Sequence, residues 1–326
     1  MKLIIQIPCY NEAETLGVAL GFLPRKVPGF DVVEWLIIND GSTDNTVKVA
    51  LKHGVDHIVN FKHNKGLAKG FMAGIAECLR QGADVIVNTD ADNQYEAKDI
   101  PKLIAPILDN KAEYVIGERP ISQTDHFSFT KKLLQKMGSW VVRKASDTNI
   151  PDAPSGFRAI SRECAMQLYV YNNYTYTLET IIQAGQKNIA ITSVPIRTNE
   201  DLRPSRLFSS IPSYINKSVI TIIRIFVVYK PFRFFMTISA ILFGLGTLLG
   251  LRFLYSYITG DGTGHIQSVI LSGVLLGMGL QTGLMAFIAD MLAANRKLLE
   301  EVRYGVNTIN LSKSAKKTSS KKRSKK

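Results

Sequence analysis

The sequence predicts an α/β domain with a mainly parallel sheet, followed by two helices that cross a membrane. Two observations support this prediction. Through the first half of the chain, short apolar runs alternate with helix-like stretches, and residues 234–289 are almost free of charge. A βαβα alternation is typical of a parallel sheet covered by helices on both faces. The chain has 326 residues, which is enough for one large domain and a membrane segment.

The sheet is predicted from short runs of aliphatic residues, and the helices from the stretches between them. The predicted strands are 3–7, 33–38, 57–61, 84–88 and 113–117. The predicted helices are 12–22, one from Thr43 with Ser42 as its N-cap, 66–81 and 98–108. In such sheets ligands bind outside the carboxyl ends of the strands, so polar residues at those ends are the candidate site.

The second half of the chain predicts membrane contact. Residues 207–229 are apolar, with Lys217 and Arg224 on one face, which predicts an interfacial helix or, alternatively, an ordinary core helix. Residues 234–251 and 266–289 give eighteen and twenty-four uncharged residues, long enough to cross a bilayer. They contain three GxxxG pairs that permit close helix packing: Gly246–Gly250, Gly273–Gly277 and Gly279–Gly283.

Charge sets the predicted orientation and domain limits. Lys and Arg flank the two spans, which places both termini in the cytoplasm. Eight of the basic residues behind the net charge of +13 lie in 313–326, which predicts a disordered tail attracted to anionic lipid rather than to nucleic acid. The predicted domains are 1–205 (catalytic), 206–232 (amphipathic), 233–292 (membrane anchor) and 293–326 (basic tail).

Cysteines and the N-terminus are consistent with a location inside the cell. Cys9, Cys78 and Cys164 are far apart and show no CxxC spacing, so neither a disulfide framework nor a zinc site is predicted. The N-terminus leads directly into a strand-like run, without the apolar region of a signal peptide.

Four polar clusters fall where strand ends are expected: 8–12 (PCYNE), 39–44 (NDGSTD), 89–94 (TDADNQ) and 152–158 (DAPSGFR). Asp90 and Asp92 flank one small residue, and two such carboxylates can bind Mg²⁺ together with substrate phosphates. A cation there would stabilise the charge that develops on a diphosphate leaving group. A simple turn is the alternative interpretation.

Other charged residues allow two interpretations each. Asp40 and Glu12 could accept hydrogen bonds from a base or ribose, or Glu12 could favour a helix start as acids generally do. Arg119 could pair with phosphate oxygens through its planar guanidinium, or lie on the surface. A basic helix with Lys132 and Lys136 could attract an anionic acceptor, or present a solvated face.

Taken as an ordered set, PCYNE, NDGSTD, NKGLAKG, DADNQ, GER and DAPSGFR resemble glycosyltransferase family 2 over roughly residues 1–210. The set is similar in particular to dolichol-phosphate mannose synthases and bacterial polyprenyl-phosphate glycosyltransferases. The resemblance implies a GT-A (Rossmann-like) fold. It also implies inverting transfer of one sugar from a nucleotide-sugar to polyprenyl phosphate, giving a lipid-linked donor for surface glycan modification. The two C-terminal helices are similar to those of glucosyl carriers of the bacterial inner membrane, which favours UDP and glucose over GDP-mannose. Relatives suggest a homotetramer.

The resemblance also implies roles for individual residues. The nucleotide would be held by Pro8, Tyr10, Glu12, Asp40, Asp90, Ala91 and Arg206. Mg²⁺ or Mn²⁺ would be held by Asp90, Asp92 and Gln94. Lys132 and Lys136 are the candidates for the acceptor phosphate on the strength of the basic helix, not of the resemblance. Arg119 would contact phosphate near the reaction centre, and Asp152 stands where the family has its candidate base. A phosphate monoester has a second pKa of ~6 and is largely ionised already, so Asp152 could instead orient the acceptor or the sugar.

The sequence departs from the mannose synthases after the last strand. Glu200 and Arg206 stand where those enzymes have an Arg and a Lys that reach the donor phosphates and metal. Arg206 can replace Lys as a phosphate partner, but Glu200 reverses a charge, so their donor preference does not carry over.

Three other classes of protein would account for part of this pattern. A processive polysaccharide synthase needs a QxxRW motif, and neither Trp35 nor Trp140 lies in one. A sugar nucleotidyltransferase opens with a Gly-rich loop, which 8–12 is not. A non-catalytic membrane scaffold predicts a broken set of acids, whereas every acid named above is present.

Overall fold

The computed structural model describes residues 1–120, 129–170, 176–199, 220, 223–260 and 266–323, without the side chains of 129–137 and 310–323. The chain forms two compact units. The first comprises Met1–Ser218 together with Val302–Lys326, and the second comprises Val219–Glu301.

A seven-stranded sheet forms the centre of the first unit, in the order β3-β2-β1-β4-β6-β5-β7. Its strands are β1 Lys2–Cys9, β2 Val32–Asn39, β3 His57–Asn60, β4 Val85–Asn88, β5 Tyr114–Glu118, β6 Arg158–Ser161 and β7 Ile191–Pro195. All neighbours pair in parallel except β6, which runs antiparallel to β4 and β5. The mainly parallel α/β sheet is therefore confirmed. The first five strands match the predicted ones, whereas β6 and β7 were not predicted.

The antiparallel β6 has a consequence for the site. Loops that follow parallel strands open at the carboxyl edge of a sheet, and a loop that precedes an antiparallel strand opens at the same edge. The 152–157 loop precedes β6, so it faces the same edge as the loops that follow β1, β2 and β4. All four polar clusters therefore lie at one edge, as predicted.

Helices cover both faces of the sheet. They are α1 Leu16–Phe22, α2 Thr46–Lys52, α3 Leu67–Arg80, α4 Ile100–Leu108 after a 3₁₀ turn at Ala97–Asp99, α5 Phe129–Ser146, α6 Arg162–Gln167 and α7 Thr177–Gln186. Two predicted starts were wrong, because α1 begins at Leu16 rather than Glu12, and α2 begins after Asn45 rather than Ser42. The polar residues before each helix are used to join two loops instead.

Helix α3 approaches the sheet closely because it carries glycine where it crosses β1 and β2. A Cβ on Gly74 would overlap Gln6 Oε1 and lie 2.8 Å from Ile38 Cδ1. Gln6 is fully buried in β1, and its Nε2 donates to Asn88 Oδ1 of β4 at 2.9 Å. The glycine thus leaves room for a polar side chain inside an aliphatic core, where buried polar groups require partners.

In the second unit, helix α8 (Pro231–Ile258) and the first part of helix α9 (Ile266–Arg323) are long and apolar enough to cross a membrane. Only 11% and 17% of their most apolar stretches are buried. Two serines link the helices: Ser239 Oγ donates to the Gly279 carbonyl at 2.6 Å, and Ser272 Oγ donates to the Gly246 carbonyl at 2.7 Å.

The three GxxxG pairs differ in their surroundings. Two of them, Gly246–Gly250 and Gly279–Gly283, lie where the two helices approach each other, since a Cβ on any of the four would lie within about 3 Å of the facing helix. A Cβ on Gly273 or Gly277 would have no neighbour within 4 Å. The third pair therefore faces away from the hairpin.

Helix α9 continues to Arg323 as an α-helix of 58 residues. The prediction of a disordered tail from residue 313 was therefore wrong for the backbone, because a helix that already exists can be extended without a new nucleation step. Residues 206–219 of the predicted amphipathic segment lie outside the described residues, and 223–229 are helical. Within the first unit, the Arg303 guanidinium stacks 3.7 Å from the Tyr169 ring centroid, and the Tyr304 hydroxyl donates to Glu163.

Candidate active site

The loops after β1 and β2 are bonded into one platform. Asn11, whose φ is 55°, donates its backbone N–H to Ser42 Oγ at 3.0 Å. In return its Oδ1 accepts from the Thr43 N–H at 2.9 Å. Asp44 accepts from the backbone of Thr46 and of Ala13, both at 3.0 Å. Burial acts to raise the pKa of Asp44, but the hydrogen bond from the Thr46 hydroxyl, together with those from the two backbone groups, outweighs burial and holds the pKa below its ordinary value.

The predicted nucleotide residues of this platform differ in their surroundings. Pro8 is half-buried, and Tyr10 is 46% exposed, so its ring is open to a ligand. The Glu12 carboxylate accepts from the Thr15 hydroxyl at 2.7 Å, beside the start of α1. Because α1 begins at Leu16 and has no acidic residue in its first turn, this contact fixes the loop before the helix and does not support the helix-start interpretation of Glu12.

Asp40 is buried and organises the loop before α3. Its two carboxylate oxygens accept from the backbone N–H groups of Lys65 and Gly66, at 2.7 and 2.9 Å. The NKGLAKG motif therefore supplies backbone donors to Asp40. A carboxylate has about four acceptor positions, so Asp40 retains capacity for a base or ribose.

The loop after β4, residues 89–94, carries the two carboxylates predicted to bind a cation and is called the cation loop below. The Asp92 Oδ1 accepts from the Gln94 N–H at 3.1 Å, which fixes the turn. Asp90 lies against Gly156, where a Cβ would be 3.0 Å from Asp90 Oδ2. Ala91 between them is buried in the core, so only its backbone could contact a nucleotide.

Burial and the neighbouring charge of Asp92 raise the pKa of Asp90 to about 7, against the opposing effects of Arg119 and Tyr95. Two neighbouring carboxylates repel each other in a loop from which water is largely excluded, and a bound divalent cation would offset that repulsion. No group of three or more His, Cys, Asp or Glu gathers within the described residues. Mg²⁺ takes one or two carboxylates and completes its shell with water and substrate phosphate, so this donor set fits it.

Arg119 and Asp152 form a bidentate ion pair. Arg119 follows β5, and its Nε and Nη2 donate to the two carboxylate oxygens at 2.8 and 3.0 Å. Its backbone N–H donates to the same carboxylate at 3.2 Å. Asp152 is 1% exposed and Arg119 is 12% exposed. Both oxygens of Asp152 are therefore engaged by Arg119, which favours an orienting role for Asp152.

Arg119 also lies within electrostatic reach of the cation loop. Burial acts to lower its pKa, but Tyr95, Asp152 and Asp90 outweigh burial, and the pKa of the guanidinium rises above its ordinary value. Arg119 therefore stays charged, and its partial exposure leaves it able to meet an anionic group.

Arg158 holds the loop that presents Asp152. It is fully buried, and its guanidinium donates to the carbonyl oxygens of Ser155 at 2.7 Å and Ala153 at 2.8 Å. It also donates to the Thr177 carbonyl at 2.9 Å and the Thr180 hydroxyl at 2.8 Å. No role was predicted for Arg158, although an arginine at the start of an apolar strand is a signal that the sequence contains.

A buried polar network behind the site was not predicted. Asn88, at the end of β4, donates through Nδ2 to the Gly156 carbonyl and to the Tyr176 hydroxyl, both at 2.9 Å. Tyr176 stacks on Phe71 of α3 with ring centroids 3.9 Å apart. Tyr95 accepts from the Gly156 N–H at 2.9 Å and hydrogen-bonds to Asp90. These contacts join residues far apart in sequence, and only Asn88, at the end of an apolar run, gave a local signal.

The segment after β7 runs along the cation loop. Arg197 pairs with Asp99 through Nη2 at 2.6 Å and through its backbone N–H at 2.7 Å. The Asn199 N–H donates to the Gln94 carbonyl at 2.9 Å. Arg206 follows in the chain but lies outside the described residues, as does Glu200. Lys132 and Lys136 belong to α5, where the structure describes their backbone alone.

Comparison with known proteins agrees with this architecture. A curated relative, the undecaprenyl-phosphate mannosyltransferase of Micrococcus luteus, is 27% identical over 69% of this chain and 93% of its own. The UDP-N-acetylglucosamine–dolichyl-phosphate N-acetylglucosaminyltransferase of Methanococcus voltae is 29% identical over 59% of this chain and 83% of its own.

Among solved structures, glucosyl-3-phosphoglycerate synthase of Mycobacterium tuberculosis, in complex with Mn²⁺, UDP and glucosyl-3-phosphoglycerate, superimposes with a TM-score of 0.54. It is 18% identical over 69% of this chain and 78% of its own, a likeness that concerns the fold. The described strands and helices thus form a GT-A-like domain. The sequence profile of glycosyl transferase family 2 matches residues 4–168, half of the chain, and the chain belongs to that family.

Proposed function

We propose that this protein transfers one sugar from a nucleotide-sugar to polyprenyl phosphate with inversion at the anomeric carbon. The observation that carries the proposal is the gathering of Asp90, Arg119 and Asp152 at the carboxyl edge of a family 2 sheet. Two of the relatives named above act on undecaprenyl or dolichyl phosphate. The two apolar helices suit an enzyme whose acceptor is a membrane lipid.

The reaction is a single displacement. A phosphate oxygen of the acceptor forms a bond to the anomeric carbon, while the bond from that carbon to the nucleotide diphosphate breaks and its electron pair leaves with the diphosphate. The acceptor is largely ionised, because the second pKa of a phosphate monoester is ~6. We therefore assign Asp152 the task of orienting Arg119, and Arg119 that of stabilising phosphate charge near the reaction centre.

The nucleotide would lie across the platform formed by 8–12 and 39–44. Tyr10 offers an exposed ring, and Asp40 offers remaining acceptor positions at the same edge. Asp90 and Asp92, with Gln94, would hold Mg²⁺ or Mn²⁺, which supplies positive charge to the departing diphosphate when bound. Arg206 would contact the donor, and Lys132 and Lys136 the acceptor phosphate.

The donor proposed first is UDP-glucose, with GDP-mannose as the alternative. The relatives named above transfer different sugars, mannose in one and N-acetylglucosamine in the other. Glu200 in place of a basic residue distinguishes this chain from the mannose synthases that it resembles. The protein would lie in the bacterial inner membrane with both termini in the cytoplasm, as the flanking basic residues favour. The outward-facing Gly273–Gly277 pair would suit a homotetramer.

The test is a transfer assay with the full-length protein in detergent. Undecaprenyl phosphate, Mg²⁺ or Mn²⁺ and a panel of labelled UDP- and GDP-sugars are supplied, and the lipid product is separated. We expect one sugar per lipid, and loss of transfer with a chelator or with Asp92→Ala. Asp56→Asn is the matched control, because Asp56 is a half-exposed carboxylate paired with Arg25, away from the site.

Each outcome has a defined meaning. Transfer from one donor names the donor and supports the enzyme. Transfer that persists in the presence of the chelator would show that the reaction does not need a divalent cation. Folded protein that binds nucleotide but transfers nothing from any donor would favour a non-catalytic scaffold.

A further inference from the structure

Tyr95 lies between two loops of the site that are distant in sequence. It is 4% exposed, and its ring stacks on Phe157 with centroids 5.2 Å apart and planes at 9°. Its backbone bridges to Thr198 in the segment after β7. Ring and backbone are therefore both fixed, and the hydroxyl has a defined position.

That hydroxyl has a partner in each loop. It accepts from the Gly156 N–H at 2.9 Å, and it hydrogen-bonds to the Asp90 carboxylate. An ionised carboxylate can only accept hydrogen bonds, so the phenolic hydrogen is directed to Asp90. The two hydrogen bonds thus form a chain with a single direction, in which Gly156 donates to Tyr95 and Tyr95 donates to Asp90.

Gly156 confines the same carboxylate from a second side. A Cβ on Gly156 would lie 3.0 and 3.2 Å from the two Asp90 oxygens, so the carboxylate lies directly over the glycine. The Gly156 carbonyl is itself held by Asn88 Nδ2 at 2.9 Å. Asp90 therefore has little freedom to rotate.

We propose that Tyr95 is a positioning residue that orients the Asp90 carboxylate toward a divalent cation, by linking it to the Gly156 backbone of the loop that carries Asp152. The inference rests on the proposed function, in which Asp90 is a cation ligand. Groups that hydrogen-bond to metal ligands fix their direction, and their loss typically lowers metal affinity about 10- to 100-fold.

The test measures Mn²⁺ binding directly, by electron paramagnetic resonance of free Mn²⁺, with full-length protein in detergent and with UDP or GDP present. Tyr95→Phe keeps the stacked ring and removes only the hydroxyl. We expect its Mn²⁺ dissociation constant to rise about 10-fold, and transfer to recover in part when Mn²⁺ is raised. Gly156→Ala displaces the carboxylate from the other side and should weaken Mn²⁺ binding as well.

Tyr114→Phe is the matched control. Tyr114 is equally buried, and its hydroxyl is bonded to Thr180 at 2.9 Å and to Arg158, not to Asp90. Its removal should lower thermal stability and leave Mn²⁺ affinity within about twofold of wild type, since it touches no proposed ligand.

The outcomes separate this inference from the proposed function. If wild type binds Mn²⁺ and Tyr95→Phe binds it equally well, the role of Tyr95 is overturned and the function stands. If wild type binds no Mn²⁺ with either nucleotide, the cation-dependent part of the proposed function is wrong, and the role of Tyr95 is overturned as well. Weaker binding in both Tyr95→Phe and Tyr114→Phe would indicate a general structural effect and also overturn the inference.

Discussion

The carboxylate of Asp152 and the guanidinium of Arg119 face each other through two hydrogen bonds of 2.8 and 3.0 Å, with Asp152 almost wholly enclosed. A carboxylate in this position stabilises the charge of the Arg119 guanidinium and fixes its orientation. If Asp152 were the proton acceptor of the reaction, it would have to leave its partner or share it. The two side chains are better regarded as one functional group.

That relationship predicts how substitutions combine. Arg119→Lys keeps the charge but loses the planar guanidinium that makes two hydrogen bonds at once, and we expect the rate of transfer to fall about 100-fold. Asp152→Asn should cost a similar factor, and the double variant should be little worse than either single one, because the residues act as a unit. The measurement is kcat for transfer at saturating donor.

The pH profile distinguishes the two roles of Asp152. With an orienting role, Asp152→Asn lowers the rate without changing the shape of the profile. Loss of an acid limb in the variant would instead support a general base. Because breaking a buried pair also destabilises, nucleotide binding must be shown to persist in each variant.

A second prediction concerns packing at α3. Gly74→Ala places a methyl group against Gln6 and 2.8 Å from Ile38 Cδ1, and we expect a loss of about 1–3 kcal/mol in the free energy of unfolding. Gly21→Ala in α1 is the control, because a Cβ there has no neighbour within 4 Å. It should stabilise by up to about 1 kcal/mol. Urea unfolding followed by fluorescence of the buried Trp35 measures both. Equal effects at the two positions would contradict the prediction.

A third prediction follows from Asp99 and Arg197. Burial acts to raise the pKa of Asp99, but the Arg197 side chain and backbone N–H outweigh it, so the pKa lies below its ordinary value. Such a carboxylate stabilises the fold above its ordinary pKa of about 3.9, and the effect is lost as pH falls through the lowered value.

We therefore expect Asp99→Asn to cost about 1 kcal/mol near neutral pH, a modest value because the Arg197 side chain is 66% exposed. The difference from wild type should stay constant down to about pH 5 and shrink below about pH 4. Unfolding midpoints at several pH values measure it. A difference that grows on acidification would show that the sign is wrong.

A fourth prediction uses the membrane hairpin. Gly279→Leu inserts a side chain where even a Cβ would lie 3.0 Å from the Phe243 nitrogen, so it should separate α8 from α9 and lower the thermal stability of the protein in detergent. A Cβ at position 277 has no neighbour within 4 Å, so Gly277→Leu should leave the hairpin intact.

The same pair of variants tests the proposed tetramer. If subunits associate through the Gly273–Gly277 face, Gly277→Leu should reduce the mass of the protein–detergent complex measured by light scattering. An unchanged tetramer would place the subunit interface elsewhere.

How much could be predicted from the sequence depended on whether the signal was local. The strands β1 to β5 were predicted because each is an unbroken apolar run between polar loops. Strand β6 was not, because it is short and begins with the buried Arg158. Strand β7 is short and only half-buried, with polar residues inside it.

The same distinction applies to the site. Asp90, Asp92 and Asp40 could be found because they directly follow apolar strands. The enclosure of Asp152 by Arg119, and the contact of Tyr95 with Gly156, join residues 33 and 61 positions apart, and no local pattern records such pairs. The prediction of a disordered tail was wrong for a different reason. The composition of the tail does not reveal that a helix which begins at Ile266 continues through it.

The fit between Gly74 and Gln6 also has a consequence for how this sequence can change over generations. A side chain at position 74 is tolerable only if position 6 gives up its amide, and Asn88 would then lose a buried partner and need another. Positions 6, 74 and 88 should therefore vary together among descendants of this chain, with glycine at 74 persisting wherever an amide occupies position 6. The polar link from Gln6 in β1 to Asn88 in β4, and the glycine in α3 that makes room for it, would be inherited as a set.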